Sequence, residues 1–410
     1  MNNQSGNDHH YRVDVADAVE LIRRNMPAYP AAKLPLAETG GAILREAVTA
    51  ERDQPPFDRV TMDGIAVRSA SLADGLRRFR VIGVQGAGET TLELGDDGNC
   101  VEIMTGAMLP GDADTVIPVE RIRAHDDRVE LEDGYTPEPG QFVHARGTDH
   151  AAGQVMLEPG AVIGAAEMAA LTISGQTHIQ VSQWPDIAIV STGDELVDVG
   201  EPLQPFQIRS SNDRAIAAAL ERRHCFDAGR YRLADDPDEL RHSIAQLHAN
   251  NDLLILSGGV SMGKYDYVPQ IMEELGAELV FHKILQRPGL PMWFGISATG
   301  KPIFALPGNP VSTLVCTARY VIPAIREAMG LGRSSRPRPQ LVEALRFEPD
   351  LTCFMPVVLQ YPHDGGVQAV PKPTNTSGDF VSLAGTDGFV ELERGRDDFP
   401  AGYAAPFFSW

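Results

Sequence analysis

Three short segments combine glycine with hydroxyl or carboxylate side chains, and each directly follows an apolar run that predicts a β-strand. The runs at 187–190, 253–256 and 302–306 lead into STGDE at 191–195, SGGVSMG at 257–263 and PGNPVS at 307–312. In an open α/β sheet, ligands bind outside the carboxyl ends of the strands, so we expect the three loops at one edge. Glycine lets backbone amides approach a ligand, and a helix starting near Pro310 offers free N–H groups to an anion. One such loop is usually a simple turn, but three at equivalent positions predict a binding site for an anionic ligand.

The second loop contains the pattern G-x-x-x-x-G-K from Gly258 to Lys264, which is the start of a phosphate-binding P-loop. A P-loop needs Ser or Thr as the next residue to bind Mg²⁺, and here that residue is Tyr265. A nucleoside-triphosphate hydrolase is therefore a third-ranked hypothesis, which a lack of ATP binding would remove.

Six carboxylates lie in or near glycine-containing segments. They are Asp63, Asp149, Asp194, Glu195, Asp235 and Asp266. Such groups could hold Mg²⁺, orient a water molecule or accept hydrogen bonds from a heterocycle. Each of them alone is more commonly a helix cap or a surface charge, and the sequence does not show that they converge. The 11 histidines have no metal-ligand spacing, so we assign none of them a catalytic role.

Composition restricts the class of partner. The 410 residues carry a formal net charge of −21, which argues against a nucleic-acid binder and against an anionic membrane surface. The four cysteines form no CxxC pair, which favours buried free thiols in a reducing compartment. We also expect a disordered tail at 1–12, no secretory signal, no membrane span and a cytoplasmic location.

The pattern of apolar residues predicts a multidomain α/β and β protein. Residues 183–332 alternate strands with helices, which indicates a mostly parallel sheet. Residues 51–147 form a β-rich insertion with strands near 79–84, 101–104 and 115–119. The flanking segments 13–50 and 148–182 form a helical linker domain with helices at 15–22, 41–50 and 165–173, and residues 333–410 form a carboxy-terminal β-barrel-like domain.

Helix boundaries follow from capping residues. Asp14 and Asn212 are predicted N-caps, and another helix is expected to start near Asp236, with Pro237 suited to its first turn. A helix is expected through 271–275, and a long one over 309–329.

Several segments, in this order, resemble the molybdopterin molybdenumtransferase family, which includes bacterial MoeA and the gephyrin E domain. They are PPFDRVTMDGIA at 55–66, IMTGAMLPGDADTVIPVE at 103–120, RGTDHAAG at 146–153, STGDEL at 191–196, SGGVSMGKYDYV at 257–268, RPGLP at 287–291 and LPGNPVS at 306–312. The resemblance covers nearly the whole chain. It implies four domains divided as above, and elongated homodimers whose site lies between the α/β domain of one subunit and the β-rich domain of the other.

The resemblance also implies a reaction and its residues. Molybdate would be inserted into adenylylated molybdopterin with release of AMP, assisted by Mg²⁺. The catalytic set would be Asp63, Thr105, Asp149, Glu195, Asp235 and Asp266, the last three also holding the metal. Substrate would be bound by Thr192, Gly193, Asp194, Ser257, Gly258, Gly259, Ser261, Lys283, Arg287, Pro307, Gly308, Asn309, Pro310, Ser312 and Ser377. Further implied partners are a molybdopterin adenylyltransferase and recipient molybdoenzymes.

This chain departs from the family pattern at cations. The family's KPGKP becomes Arg287-Pro-Gly-Leu290-Pro, and an arginine expected after Phe354 is replaced by Pro356. Both losses fall in the family's proposed molybdate site. Our leading hypothesis is therefore an active transferase with a remodelled oxyanion pocket. The alternative is a non-catalytic molybdopterin-binding paralogue that serves as carrier or assembly partner.

Overall fold

The fold comes from a computed structural model, which describes residues 12–222, 228–259, 267–332, 335–363 and 365–410. Residues 1–11 of the expected tail lie outside these ranges, as do Cys225 and the segment 260–266 with Ser261 and Asp266. Cys100, Cys316 and Cys353 are free and buried, as expected. Within the described ranges, no helix combines the length and the apolar character needed to cross a membrane.

A six-stranded mixed sheet forms the centre of the molecule. In spatial order its strands are Ala228–Leu233, Ile187–Thr192, Leu253–Ser257, Pro302–Leu306, Trp293–Ile296 and Glu278–His282. The first three pairings are parallel and the last two antiparallel, which confirms the expected mostly parallel α/β sheet. The antiparallel pair at the edge was not predicted from the sequence.

Helices cover this sheet. They are Asn212–Glu221, Pro237–Asn250, Val268–Glu274 and a long run made of Pro310–Cys316, a π-helical turn at Thr317–Val321 and Ile322–Ala328. The helix predicted to start near Asp236 begins at Pro237, and Asp236 caps it by accepting hydrogen bonds from the backbone N–H groups of Asp238 and Glu239. The cap predicted at Asn212 is wrong, because the N-cap is Ser211 and the Asn212 side chain points to neighbouring loops instead.

The first helix, Val15–Asn25, packs onto the α/β core through Val15, Ala18 and Ile22. Asp14 occupies its N-cap position, but its side chain makes no capping hydrogen bond. The carboxylate instead accepts a 2.8 Å hydrogen bond from Arg394, so an ion pair to the carboxy-terminal region replaces the predicted cap.

The segments that flank the β-rich insertion pair with each other. Ala31–Pro35 pairs with His178–Ser182, Val48–Thr49 pairs with Val155–Leu157, and the predicted helix at Ala165–Ile173 is present. The helix predicted at 41–50 is wrong. Ile43 and Leu44 are buried in bridges to Val162 and Val181, so contacts distant in sequence override a helix-like local pattern.

Residues 51–147, called the β-rich region below, contain the predicted strands. Their sheet has the order Thr115–Pro118, Gly64–Val67, Asn99–Ile103, Arg78–Gln85, Arg128–Leu131 and Ile122–His125. A separate antiparallel pair joins Arg59–Val60 to Val143–His144. A short helix, Ser69–Ala73, completes the region.

The carboxy-terminal residues form a curled sheet. Its strands, in spatial order, are Gln340–Leu341, Gln368–Pro371, Thr352–Gln360, Gly388–Leu392 and Phe407–Ser409. Gln286–Arg287, from the α/β part of the chain, pairs in parallel with Thr352 and Cys353. Phe354, Phe389 and Phe408 pack into the same core as the central helices, so this sheet rests directly on the α/β domain.

Candidate functional site: a cleft at the sheet edge

The three glycine-containing loops meet at the carboxyl edge of the parallel strands. Ile187–Thr192, Leu253–Ser257 and Pro302–Leu306 are adjacent in the sheet, and their parallel register carries each loop out at the same level. A Cβ placed on Gly308 would lie 3.6 Å from the Cα of Gly258. The predicted convergence is therefore present in the fold.

Glycine is required where the first two loops touch. Gly258 has φ +97°, and a Cβ there would lie 2.7 Å from the carbonyl oxygen of Thr192. Gly259 has φ +64°, and its Cβ would lie 2.9 Å from Thr192 Oγ1. Any other residue would be strained at these φ values and would also push the loops apart.

Asn212 joins the second and third loops. Its side-chain N–H₂ group donates to Ser257 Oγ at 2.9 Å and to the Gly308 carbonyl at 2.8 Å. The sequence predicted Asn212 only as a helix cap and did not reveal that it connects two loops. No local signal separates the two roles, because Asn at the start of a helix is typical of both.

The loops enclose a cleft of about 640 Å³. Its lining includes eleven of the predicted site residues: Thr192, Gly193, Glu195, Asp235, Ser257, Gly258, Gly259, Pro307, Gly308, Asn309 and Pro310. Most of the lining residues are glycines or carry a hydroxyl, carboxamide or charged group, which suits a polar ligand.

Three polar atoms on the cleft lining are buried without a hydrogen-bond partner in the described part of the chain. They are Ser191 Oγ, Thr192 Oγ1 and Asn212 Oδ1. Leaving such an atom unsatisfied costs about 1–3 kcal/mol, so these atoms are suited to a polar ligand or ordered water.

The helix that begins at Pro310 offers less to an anion than predicted. The Val311 N–H donates to the Ser377 carbonyl at 3.0 Å, which ties the helix start to the carboxy-terminal region. Pro310 itself has no N–H to donate. The glycine loops, rather than this helix start, provide the approach for an anion.

Of the acidic residues, Glu195 and Asp235 line the cleft, whereas Asp194 lines a neighbouring cavity of about 560 Å³. Asp194 accepts a 3.0 Å hydrogen bond from the backbone N–H of Asp235, so it positions the segment that carries Asp235. Among the described residues there is no group of three or more His, Cys, Asp or Glu side chains arranged around a metal ion. The third residue of the predicted metal set, Asp266, lies outside those residues.

A second cavity of about 420 Å³ lies between the α/β domain and the carboxy-terminal sheet. Pro291 and Asn309 line both cavities, so the two adjoin. The predicted residues Arg287, Ser312 and Ser377 lie here. So do Leu290 and Pro356, the two positions where the sequence resemblance implies cations that this chain lacks. Arg287 thus provides the one cationic side chain among the described residues that line this cavity.

The walls of the second cavity are held by a buried polar network. Gln286 is fully buried, accepts a hydrogen bond from the Tyr320 hydroxyl and donates to the Pro288 carbonyl at 3.1 Å. Burial raises the pKa of the Cys353 thiol to about 12, against the opposing effect of Arg287, so this lining residue stays protonated at neutral pH.

Lys283 follows the strand Glu278–His282 at the same sheet edge as the loops. It is two strands away from Pro302–Leu306, and the described residues lining the two cavities do not include it. Its φ of +80° and the hydrogen bond from the Val13 N–H to its carbonyl give it a structural connection to the first helix. The structure therefore places Lys283 outside the cleft.

Asp63 and Thr105 lie in the β-rich region and Asp149 lies two residues beyond its end, and none of the three lines either cavity. Asp63 Oδ1 accepts hydrogen bonds from the Thr105 backbone N–H at 2.6 Å and from its hydroxyl at 2.7 Å. These two bonds hold the pKa of the Asp63 carboxyl below its usual value. Asp149 Oδ1 lies 3.1 Å from His144 Nε2, one of the histidines to which the sequence assigned no catalytic role.

Family models match three stretches of the chain. Residues 13–175 match the MoeA N-terminal region (domain I and II), 188–327 a probable molybdopterin binding domain, and 340–409 the MoeA C-terminal region (domain IV). The matches follow one another along nearly the whole sequence.

Curated relatives match over almost their full length. The molybdopterin molybdenumtransferase of Synechocystis sp. is 37% identical over 97% of this chain and 100% of that protein. The Staphylococcus aureus molybdopterin molybdenumtransferase is 32% identical over 95% of this chain and 94% of that protein.

Solved structures agree with the fold. A molybdopterin biosynthesis MoeA protein from Pyrococcus horikoshii superposes with a TM-score of 0.79 at 30% identity, covering 97% of this chain and 98% of that one. A second structure of a MoeA protein from the same organism gives a TM-score of 0.80 at 23% identity, which supports the shared fold alone.

Proposed function

Because this chain belongs to the MoeA family of molybdopterin molybdenumtransferases, and is thus an enzyme of molybdenum cofactor biosynthesis, we propose that it inserts molybdate into adenylylated molybdopterin and releases AMP. The observation that carries this proposal is the convergence of three glycine-containing loops on one cleft. The comparisons give no support to the alternative of a non-catalytic carrier.

The cleft would hold the nucleotide part of the substrate. Gly258 and Gly259 leave backbone and hydroxyl groups exposed where a Cβ would otherwise intrude, so phosphate oxygens can approach closely. Thr192 Oγ1, buried and without a partner among the described residues, would donate to the same ligand. Ser257, Gly308, Asn309 and Ser261 would complete this set around the phosphates.

Mg²⁺ fits the acidic side chains of the cleft. This ion commonly binds through one or two carboxylates together with substrate phosphates and retained waters. Glu195 and Asp235 line the same cleft and would hold it, with Asp266 as the third member of the set. A bound Mg²⁺ would supply positive charge to the phosphate group that leaves with AMP.

The adjoining second cavity would receive molybdate. Arg287 provides a planar guanidinium suited to an oxyanion, and Ser312 and Ser377 provide hydroxyl groups. Leu290 and Pro356 supply no charge where family members carry cations. Each missing charge-assisted hydrogen bond is worth roughly 1.5–3 kcal/mol, so oxyanion binding should be weaker than in a family member with both cations.

The β-rich region would act on the cleft of a second subunit. Asp63 and Thr105 of this region, and Asp149 just beyond it, do not line the cleft of their own chain, which supports a site shared within a homodimer. The division into a linker domain (13–50 and 148–182), the β-rich region, an α/β domain (183–332) and a carboxy-terminal domain (333–410) forms part of this proposal. Lys283 would then act on substrate only through long-range charge.

The proposed partners and location follow from the same reaction. An adenylyltransferase would supply the substrate, molybdoenzymes would receive the product, and the work would take place in the cytoplasm. Incubation of the purified protein with adenylylated molybdopterin, molybdate and Mg²⁺ tests the proposal, with AMP release above background as the expected result.

A further inference from the structure

Three side chains form a connected row at the end of the β-rich region and just beyond it. Arg59 Nη2 lies 3.2 Å from His144 Nδ1, and His144 Nε2 lies 3.1 Å from Asp149 Oδ1. Arg59 and His144 are direct partners in the antiparallel pair formed by Arg59–Val60 and Val143–His144. The backbone therefore brings the two side chains together.

The contacts define the protonation pattern of the imidazole. A guanidinium has only N–H donors, so Arg59 donates and His144 Nδ1 accepts. A neutral imidazole that accepts at Nδ1 carries its proton at Nε2, from which it donates to Asp149 Oδ1. This assignment follows from the hydrogen bonds rather than from an observed hydrogen atom.

The same strand also supports Thr105. The Val60 N–H donates to the Ala107 carbonyl at 3.0 Å, and the Gly106 N–H donates to the Val60 carbonyl at 2.8 Å. Arg59–Val60 thus lies between the segment that carries Thr105 and the segment that carries Asp149. This strand therefore supports both Thr105 and Asp149, which are proposed to act on the cleft of a second subunit.

We infer that His144 is a positioning residue for Asp149, held in its donating tautomer by Arg59. The Asp149 backbone N–H donates to the Gln54 carbonyl at 2.8 Å, so the carboxylate is fixed at its base and at Oδ1. About half of the Asp149 side chain stays exposed, which leaves it accessible to a ligand. The inference rests on the proposed function, which puts Asp149 in the shared site.

Steady-state AMP release by the full-length protein tests the role. His144→Leu removes the donor, and kcat should fall about tenfold or more while KM stays within about twofold, because a misplaced group acts mainly on the transition state. His144→Gln retains an N–H donor and should restore kcat to within about threefold of wild type. His125→Leu, at an exposed histidine in the same region, is the matched control.

Nitrogen-15 spectra of the histidine rings provide a readout independent of activity. In the wild type, His144 should be unprotonated at Nδ1 and protonated at Nε2. Arg59→Ala removes the hydrogen bond to Nδ1 and should move the chemical shift of that nitrogen, while Nε2 keeps its proton through the bond to Asp149. An Nδ1 chemical shift that is the same in the wild type and in Arg59→Ala would overturn the inference.

Asp149→Asn separates failure of the inference from failure of the proposed function. If the wild type releases AMP and Asp149→Asn does not, a fully active His144→Leu enzyme overturns the inference alone. If Asp149→Asn is as active as wild type, Asp149 has no role in the reaction and the inference is overturned. If the wild type releases no AMP, the proposed function fails.

Discussion

The Asn212 side-chain amide donates a 2.9 Å hydrogen bond to the hydroxyl of Ser257, and thereby ties the start of a helix to the second glycine loop. A second bond from the same amide reaches the Gly308 carbonyl of the third loop at 2.8 Å. One side chain therefore sets the spacing of two walls of the cleft.

Asn212→Ala should loosen the cleft. It removes two hydrogen bonds with a net value of about 1 kcal/mol each and leaves the Ser257 hydroxyl without its donor, so AMP affinity should fall about tenfold. Isothermal titration calorimetry with AMP measures this. Asn250→Ala, at an exposed residue that ends another helix, should bind AMP as the wild type does. Unchanged affinity in Asn212→Ala would show that the bridge does not shape the cleft.

Gly258→Ala should disrupt the cleft through a steric clash as well as through backbone strain. The new Cβ would lie 2.7 Å from the Thr192 carbonyl oxygen, in addition to the strain of φ +97°. Gly75→Ala is the matched control, since Gly75 has φ +89° and open space around its Cβ position. Both variants should lose about 1–2 kcal/mol of stability from backbone strain, but only Gly258→Ala should lose AMP binding. Equal AMP binding by the two variants would contradict the proposed cradle.

The sequence predicted the cleft well because the loops that form it can be recognised from local patterns. Each loop follows an uninterrupted apolar strand, and parallel strands bring such loops to one edge whatever the remaining contacts are. The failures involve contacts distant in sequence. Ile43 and Leu44 are bridged to Val162 and Val181, so their helix-like spacing misled the prediction at 41–50.

Side-chain contacts between distant segments likewise could not be predicted from the sequence. Nothing near Asn212 reveals that Gly308 lies beside it, and nothing near His144 reveals Arg59. Lys283 was predicted to bind substrate, but the structure places it outside the cleft. It lies at the expected sheet edge, two strands away from Pro302–Leu306. Motif position identifies the edge, whereas sheet order decides which residues share a cavity.

Leu290→Lys should strengthen molybdate use. The change adds a cation to the lining of the second cavity, where Arg287 is the one cation among the described residues, and a charge-assisted hydrogen bond of roughly 1.5–3 kcal/mol corresponds to about a tenfold to hundredfold gain. The molybdate concentration for half-maximal AMP release should fall accordingly. Val342→Lys adds the same charge at an exposed position and should have no effect. An unchanged molybdate requirement in Leu290→Lys would place the oxyanion elsewhere.

Thr105→Val should raise the pKa of Asp63. It deletes the 2.7 Å hydroxyl bond and keeps the backbone bond, so part of the stabilisation of the charged carboxylate is lost. A carboxyl with a depressed folded-state pKa stabilises the fold above its unfolded pKa, and this contribution disappears as pH falls through the folded value. Stability lost in the variant should therefore be greatest at neutral pH and shrink in acid. Carbon-13 titration of Asp63 measures the shift directly.

Thr105→Ser retains the hydroxyl and should titrate like the wild type. If the pKa of Asp63 in Thr105→Val equals that in Thr105→Ser, the hydroxyl does not stabilise the carboxylate and the proposed pairing has no electrostatic role.

In the proposed function, molybdate consumption and AMP release are one reaction at this cleft. The most direct measurement is a single-turnover experiment that counts AMP released and molybdenum incorporated per adenylylated molybdopterin, with Mg²⁺ present and with tungstate as a parallel arm. We expect the two products in equal amounts, no AMP without the oxyanion, and loss of both products in Gly258→Ala but not in Gly75→Ala. Wild-type protein that releases no AMP above background, while a competent family member does so in the same assay, would contradict the account.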